Sequence, residues 1–137
     1  MHTERREFEA APRAVGELLE FVDGMTAGLP TSTAHKLRLA CEEVAVNVAT
    51  YAYPDGDGRV AITWEDDADG KRVRVRFEDS GVPFNPLENP APDLAAPLQE
   101  RAIGGLGIMM VRRLMDDVQY VYLEGKNVLT LTAGTDP

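Results

Sequence analysis

Three short groups of residues have the types and spacing that chemistry on a bound ligand would need. In the first, Glu43 and Asn47 stand four residues apart within CEEVAVNVATYAYPDG. On a helix this spacing places them one turn apart on the same side. An amide oxygen can ligate Mg²⁺, and a carboxylate can accept a proton. The same spacing occurs on solvated helix flanks, so the pair alone leaves both interpretations open.

The second group follows a stretch with the alternating pattern of a strand. In FEDSGVPF this pattern ends at Asp79, and Gly81 permits a close approach of the backbone. A carboxylate at a strand end can accept a hydrogen bond from an amine in a pocket. Asp, Ser, Gly and Pro also form ordinary turns, and that alternative stays open for the segment alone.

The third group is rich in glycine. IGGLGIMM places Gly105 and Gly107 on either side of Leu106, at the predicted start of a helix. Free backbone N–H groups and the positive end of a helix can hold phosphate oxygens. The stretch is not a P-loop, because the Lys-Ser/Thr pair is missing, and Met110 replaces the third glycine of a dinucleotide-binding fingerprint. A plain helix entry is the alternative.

Hydrophobic periodicity predicts the elements that must position these groups. Their order is a strand, a helix, the long helix with Glu43 and Asn47, a hairpin, a loop, a helix and a second hairpin that turns at Gly125. A Thr/Ser cluster is predicted to cap the long helix, which should end near Pro54. The loop, residues 82–103, holds five of the nine prolines without a sustained period, which is typical of functional or disordered segments.

Composition restricts the class of protein. The 137 residues, 44% of them hydrophobic, suffice for one core in one domain. Asp and Glu number 23 against 14 Lys and Arg, and no basic run alternates with aromatics, so nucleic acid is not an expected partner. Without a signal-like or membrane-spanning apolar run, the sequence predicts a cytoplasmic protein with no membrane contact. The single cysteine, Cys41, fits a reducing compartment.

Taken in order, the three groups resemble the ATP-binding fold shared by gyrase, Hsp90, histidine kinases and MutL. Within that fold the chain is most similar to the bacterial anti-sigma factor serine/threonine kinases, from Phe8 to Leu131. The resemblance implies an α/β two-layer sandwich of the α+β kind, with a mixed, largely antiparallel sheet and three helices on one face. Residues 1–137 would form a single ATP-binding kinase domain with an ATP lid at about 82–103.

The resemblance also implies a role for each matching residue. Glu43 matches the general base, Asn47 matches the amide that ligates Mg²⁺, and Asp79 matches the carboxylate that accepts from the adenine amine. The other matches are Gly81 beside that carboxylate, the phosphate-facing Gly105 and Gly107 with Leu106 between them, and Arg101 as a lid arginine near the terminal phosphate.

Two positions depart from the family pattern. Tyr51 stands where relatives often have His, and Asn127 falls near a Thr that the wider superfamily places close to adenine. Thr130 is the expected replacement for that Thr as a nucleotide-binding residue, with Thr132 as a second candidate. The rim of the base pocket is therefore the part of the site that the resemblance defines least.

The function that the resemblance implies is transfer of the γ-phosphate of Mg·ATP to a Ser or Thr of an anti-anti-sigma protein of the STAS type, controlling release of a sigma factor and so transcription. A homodimer is a further expectation that no feature of the sequence establishes. One alternative is a nucleotide-dependent binding module that sequesters its partner without phosphorylating it. Another is a component of a larger complex that acts by contact alone, with an empty pocket. Glu43 favours the enzyme, because nucleotide binding needs Asn47 and Asp79 more than a base.

Overall fold

Five antiparallel strands form one layer of the molecule, and three α-helices form the other. The computed structural model describes residues 2–67, 69–88 and 105–135. The strands are β1 (His2–Glu9), β2 (Arg59–Asp66), β3 (Arg72–Asp79), β4 (Asp117–Leu123) and β5 (Lys126–Gly134). The helices are α1 (Val15–Thr26), α2 (Thr31–Tyr51) and α3 (Gly105–Leu114), with short 3₁₀ turns at Pro12–Ala14 and Pro86–Glu88.

The strand order in the sheet is β1-β2-β3-β5-β4, and each of the four pairings is antiparallel. The predicted two-layer sandwich is confirmed. The parallel pairing that a mixed sheet requires is not found among the described strands. Because β5 inserts between β3 and β4, Asp79 at the end of β3 is the register partner of Asn127 near the start of β5.

Alternation along β3 and β5 separates two faces of the sheet. Arg74 and Arg76 lie on the outer face, where their guanidinium groups pair with Glu65, Asp67 and Glu78. The other face packs against the helices and carries the buried side chains Val73, Val75, Phe77, Asp79, Asn127, Leu129, Leu131 and Ala133. Asp79 and Asn127 are thus polar members of a face that is otherwise apolar.

Helix α2 packs onto this face through the apolar stripe that its sequence predicts. Leu37 and Cys41 are fully buried, and Val44 is 2% exposed. The predicted Thr/Ser cap is wrong: Pro30 occupies the N-cap position without a side-chain capping bond, so the hydroxyl of Thr31 lies within the first turn. Among the described helices, none combines the length and the apolar composition needed to cross a membrane.

The β4–β5 hairpin turns where the sequence predicts. Glu124 and Gly125 have φ angles of 54° and 77°, and Leu123 pairs with Lys126 on either side of them. Two consecutive positive φ angles match the twist of the flanking strands. This turn fixes the register that brings Asn127 to the core face.

Candidate functional site

A cavity lies between the helices and the sheet, at the end of β3. The space between the atoms that line it, counted together with the solvent at its open mouth, is about 420 Å³. Three of its lining residues, Asn47, Asp79 and Asn127, carry polar groups into it from α2, β3 and β5. Its apolar walls include Val44, Val48, Phe77, Phe84, Ile108 and Leu129. Apolar walls with a few converging polar groups are typical of a pocket that binds and orients a small molecule.

Asp79 supplies a carboxylate to this cavity. It is 7% exposed, and its Oδ1 accepts hydrogen bonds from the Gly81 N–H and from Asn127 Nδ2, each at 2.9 Å. Burial raises the pKa of Asp79, and the hydrogen bonds from Asn127 and Gly81 partly offset that rise. Neither bond uses Oδ2, so this oxygen can accept from an amine of a ligand.

Asn127 joins Asp79 to the segment that follows β3. Its Nδ2 donates to Asp79 Oδ1 and, at 2.8 Å, to the carbonyl oxygen of Val82. Its Oδ1 accepts from the Phe84 N–H at 3.0 Å and from the hydroxyl of Tyr120. The amide therefore connects β5 with β3, β4 and the chain beyond β3.

Asn47 reaches the cavity from α2 with an unsatisfied group. It is 6% exposed, and its Nδ2 has no hydrogen-bond partner within residues 2–67, 69–88 and 105–135. A buried donor without an acceptor costs free energy. Such a group on a cavity wall is typical of a residue whose partner is a ligand.

Glu43 lies one turn before Asn47 on α2 and is half-buried. It is not among the described lining residues of the cavity, and no hydrogen bond or ion pair to its carboxylate is found within the described part of the chain. The adjacent Glu42 points to the surface, where it lies 3.7 Å from Arg38. The two neighbouring glutamates therefore differ, since only Glu42 has a surface ion pair.

Gly81 is packed against the end of α2. A Cβ atom at this position would lie 2.1 Å from the carbonyl oxygen of Ala52. The same oxygen accepts from the Val82 N–H at 2.9 Å. The absence of a side chain at position 81 is therefore what lets the chain after Asp79 touch the helix that carries Asn47.

Helix α3 begins at Gly105, so Gly105, Leu106 and Gly107 form the start of a helix as predicted. The first backbone N–H groups of a helix have no partner within the helix and carry its positive end. Ile108, in the first turn, is a wall of the cavity, and Arg112 donates to the carbonyl oxygen of Leu87 at 2.8 Å. Helix α3 and the 3₁₀ turn after β3 are therefore joined by this bond, and Ile108 and Pro86 bring both elements to the cavity wall.

The sequence pattern of the histidine kinase-like ATPase domain family matches residues 8–133. The chain belongs to this family. The match covers the three helices, strands β2 to β4 and nearly all of β5, but only the last two residues of β1. It includes every described residue that lines the cavity.

Relatives and a solved structure agree with this assignment. The chain is 31% identical over 100 residues to the serine-protein kinase RsbW of Bacillus cereus strain AH187, and 30% identical over 97 residues to that of Bacillus thuringiensis strain Al Hakam. Each alignment covers 68% of this chain, which spans 59% of the length of these curated relatives.

The solved structure is the histidine kinase domain from the blue-light activated histidine kinase of Erythrobacter litoralis EL346. It superimposes with a TM-score of 0.61 over 88% of this chain and 59% of that chain, at 17% sequence identity. A likeness at this identity supports the fold of the family alone.

The structure brings some of the predicted family residues together and leaves others apart. Asn47 and Asp79 share the cavity, and Gly81 adjoins Asp79. Thr130 does not reach the cavity, because its position on β5 has the opposite parity to Asn127 and Leu129 and its side chain lies on the outer face. Thr132 lies on the same outer face of β5 as Thr130, so it does not reach the cavity either. Arg101 lies outside the described residues, as does most of the predicted lid, and for Leu106 only the backbone within α3 is described.

Asn127 is the cavity residue that sequence reasoning assigned no role. Asn127 follows the hairpin turn by two residues and alternates in step with Leu129 and Leu131. This spacing indicates that its side chain lies on the same face of β5 as those two apolar residues. Tyr51, which stands where relatives often have His, stacks its ring on Phe84, with 5.1 Å between the centroids. Both residues act on the segment that follows β3.

The donor set fits a metal that arrives with a nucleotide. No cluster of three or more His, Cys, Asp or Glu side chains suited to a metal is found in residues 2–67, 69–88 and 105–135. Mg²⁺ usually keeps several waters and takes few protein oxygens besides substrate phosphates. The single amide of Asn47 on the cavity wall suits that arrangement.

Proposed function

We propose that this chain binds Mg·ATP and transfers the γ-phosphoryl group to a Ser or Thr of a protein partner. The observation that carries the proposal is the shared cavity of Asn47 and Asp79, in a chain similar to serine-protein kinases named RsbW. Asp79 has a carboxylate oxygen, Oδ2, that neither of its described hydrogen bonds uses, and Asn47 has a buried amide whose nitrogen has no partner within the described residues. Their chemistry suits the two ends of a nucleotide, an amine and a metal-bound phosphate.

Asp79 selects the base in this proposal. Its Oδ2 accepts a hydrogen bond from the exocyclic amine of adenine, while Oδ1 stays bonded to Gly81 and Asn127. Guanine presents a carbonyl oxygen where adenine has this amine, so two acceptors would face each other. A desolvated acceptor rejects such a mismatch strongly.

Asn47 and the entry to α3 hold the phosphates. The Asn47 amide oxygen is a ligand for Mg²⁺, which when bound supplies positive charge to the phosphate oxygens. The backbone N–H groups of Gly105, Leu106 and Gly107 can donate to phosphate oxygens, because the first turn of a helix leaves them unpaired. Arg101, outside the described residues, would add positive charge near the terminal phosphate.

Glu43 acts as the general base. In the transfer, the hydroxyl oxygen of the partner forms a bond to the γ-phosphorus, and the bond from that phosphorus to the β–γ bridging oxygen breaks. The hydroxyl proton passes to the Glu43 carboxylate, and ADP leaves with the bridging oxygen. Glu43 is suited to this role by its place one turn before Asn47 on α2, which would bring its carboxylate near the terminal phosphate.

The proposed partners are an anti-anti-sigma protein of the STAS type, as the phosphate acceptor, and a sigma factor that is held and released; a homodimer is part of the same proposal. A second candidate function is a nucleotide-dependent binding module without phosphotransfer. The observation that favours it is the absence of Glu43 from the described lining of the cavity. Both candidates place the protein in a cytoplasmic regulatory pathway.

Titration followed by phosphotransfer separates these candidates. Calorimetry with ATP and GTP, each with and without Mg²⁺, should show Mg²⁺-dependent binding with preference for ATP. Proteins recovered with this chain from the native cell are then incubated with it and Mg·ATP, and mass spectrometry locates any new phosphate. Equal affinity for ATP and GTP would contradict the role of Asp79 in recognising adenine. Tight Mg·ATP binding without phosphate transfer to a partner that binds would favour the binding module.

A further inference from the structure

The amide of Asn127 uses its whole hydrogen-bonding capacity within the protein. An asparagine side chain has two N–H donors and two acceptor lone pairs. Here the donors go to Asp79 Oδ1 and the Val82 carbonyl, and the acceptors receive the Phe84 N–H and the Tyr120 hydroxyl. No capacity remains for a direct hydrogen bond to a ligand.

These four bonds define one orientation of the amide. If the amide turned over, its oxygen would face the oxygens of Asp79 and Val82, and its nitrogen would face the Phe84 N–H. Both new pairs would place like partial charges together, and burial makes such contacts costly. Asn127 is 6% exposed, so water does not compensate for the loss. The donor side of the amide is therefore fixed toward the carboxylate.

We infer that Asn127 is a positioning residue for base recognition, which holds Asp79 Oδ1 so that Oδ2 alone is offered to the amine of the ligand. This inference rests on the proposed function, since the amine is that of adenine. It separates the roles of the two buried polar residues: Asp79 contacts the ligand, and Asn127 acts through Asp79.

The same amide also sets one wall of the cavity. Its bonds to Val82 and Phe84 tie the segment after β3 to β5. Phe84 is a cavity wall, and its ring is stacked on Tyr51 of α2. The position of the acceptor oxygen and the position of this wall therefore depend on one side chain, so a change at Asn127 should alter selectivity and not only affinity.

Asn127→Ala tests the inference through selectivity. Removing one hydrogen bond to a charged group should weaken ATP binding by about tenfold or more. The ATP-to-GTP preference should also fall, because Asp79 can then rotate. Gln119→Ala, which removes an exposed amide from β4, is the matched control and should leave both quantities unchanged. A uniform loss for ATP and GTP with the preference intact would overturn the positioning role.

Asn127→Asp gives a pH signature that a purely structural role would not. It places a second carboxylate beside Asp79 Oδ1, where the amide nitrogen lies at 2.9 Å. Two carboxylates this close share a proton, and like-charge repulsion raises the pKa at which that proton leaves. ATP binding to the variant should therefore be supported at lower pH and lost as pH rises, a loss that the original protein lacks. Parallel pH profiles for the two proteins would contradict the inference.

A measurement without nucleotide keeps the inference separate from the proposed function. The carboxyl carbon of Asp79 can be titrated by NMR in the ligand-free protein. In Asn127→Ala its pKa should rise above that of the original protein, because a hydrogen bond to the charged form is lost. An unchanged pKa would overturn the inference whatever ligand the cavity binds. Circular dichroism checks that each variant is folded, and Asn127→Asp serves if Asn127→Ala is not.

Discussion

Gly81 and Ala52 are in direct backbone contact, which joins the strand end that carries Asp79 to the helix that carries Asn47. A Cβ atom at position 81 would lie 2.1 Å from the Ala52 carbonyl oxygen and 2.8 Å from its Cβ. Real atoms do not approach so closely, so any side chain at position 81 must displace the backbone.

Gly81→Ala should therefore lower the free energy of unfolding by about 1–3 kcal/mol, the usual cost of overpacking. It should also weaken nucleotide binding, since the Gly81 N–H that bonds to Asp79 must move with the backbone. Urea denaturation measures the first effect. Gly56→Ala is the control, because a Cβ there would meet no atom within 4 Å. Equal stability of the two variants would show that the contact is not restrictive.

Asp79→Asn should relax the preference for adenine over guanine. The carboxylate oxygen that accepts from an amine is replaced by an amide that can also donate, and a donor suits the carbonyl oxygen of guanine. Competition between ATP and GTP for the variant measures the change. Retained discrimination would mean that Asp79 Oδ2 does not meet the base.

The stability of Asp79→Asn relative to the original protein should increase as pH rises. Burial raises the folded-state pKa of Asp79 above its unfolded value, so its protonated form stabilises the fold below the unfolded pKa, and this contribution is lost as pH rises through the folded pKa. At neutral pH the variant should then be more stable than the original protein. The advantage should shrink as pH falls into the carboxylate range. Asp55→Asn, at an exposed carboxylate, provides the control for urea denaturation at each pH.

Asn47→Ala and Glu43→Ala should fail in different ways. Asn47→Ala removes a proposed metal ligand, so Mg·ATP binding should fall. The unliganded protein should lose little stability, because the deleted amide nitrogen has no partner among the residues that the structure describes. Glu43→Ala should keep nucleotide affinity and lose about 10²- to 10⁴-fold in transfer rate.

Glu42→Ala is the matched control for Glu43→Ala, because it removes a carboxylate paired with Arg38 at the surface. Calorimetry and a phosphotransfer assay give the two quantities. A normal transfer rate for Glu43→Ala at unchanged affinity would exclude Glu43 as the base.

Cys41 should be unreactive in the folded protein. Its thiol is fully buried, and this burial raises its pKa to about 12. Because the thiolate is the reactive form, a disulfide reagent at pH 8 should label Cys41 only when the core opens. The labelling rate should rise to that of a free thiol in urea. Rapid labelling of the native protein would mean that the packing of α2 on the sheet is looser than described.

Local pattern predicted most of the elements but little of how they meet. The stripe of Leu37, Cys41 and Val44 and the turn at Gly125 could be read from the sequence, because a helix face and a hairpin depend on neighbouring residues. The pairing of β3 with β5 could not, since it joins segments 48 residues apart at Asp79 and Asn127. Local patterns carry no information about such a pairing.

The site shows the same division. The order of the family motifs along the sequence predicts Asp79 and Asn47 as site residues. It also predicts Thr130, which lies outside the cavity, and gives no role to Asn127, which lines it. Whether a β5 residue has an odd or an even number decides between them, because alternate side chains of a strand lie on opposite faces of the sheet. Only the register with β3 and the burial of Leu129 and Leu131 fix which face looks inward.

Because β5 inserts between β3 and β4, the cavity is complete only after β5 has paired with β3. A partly folded chain with α2 and the β2–β3 hairpin would hold Asn47 and Asp79 but not the strand that carries Asn127. Contacts between distant segments form late and slowly. A ligand that binds only the completed cavity stabilises the folded state, and the thermal midpoint then rises with the logarithm of the ligand concentration above Kd. A rise of that midpoint on adding nucleotide would therefore require that β5 has paired between β3 and β4.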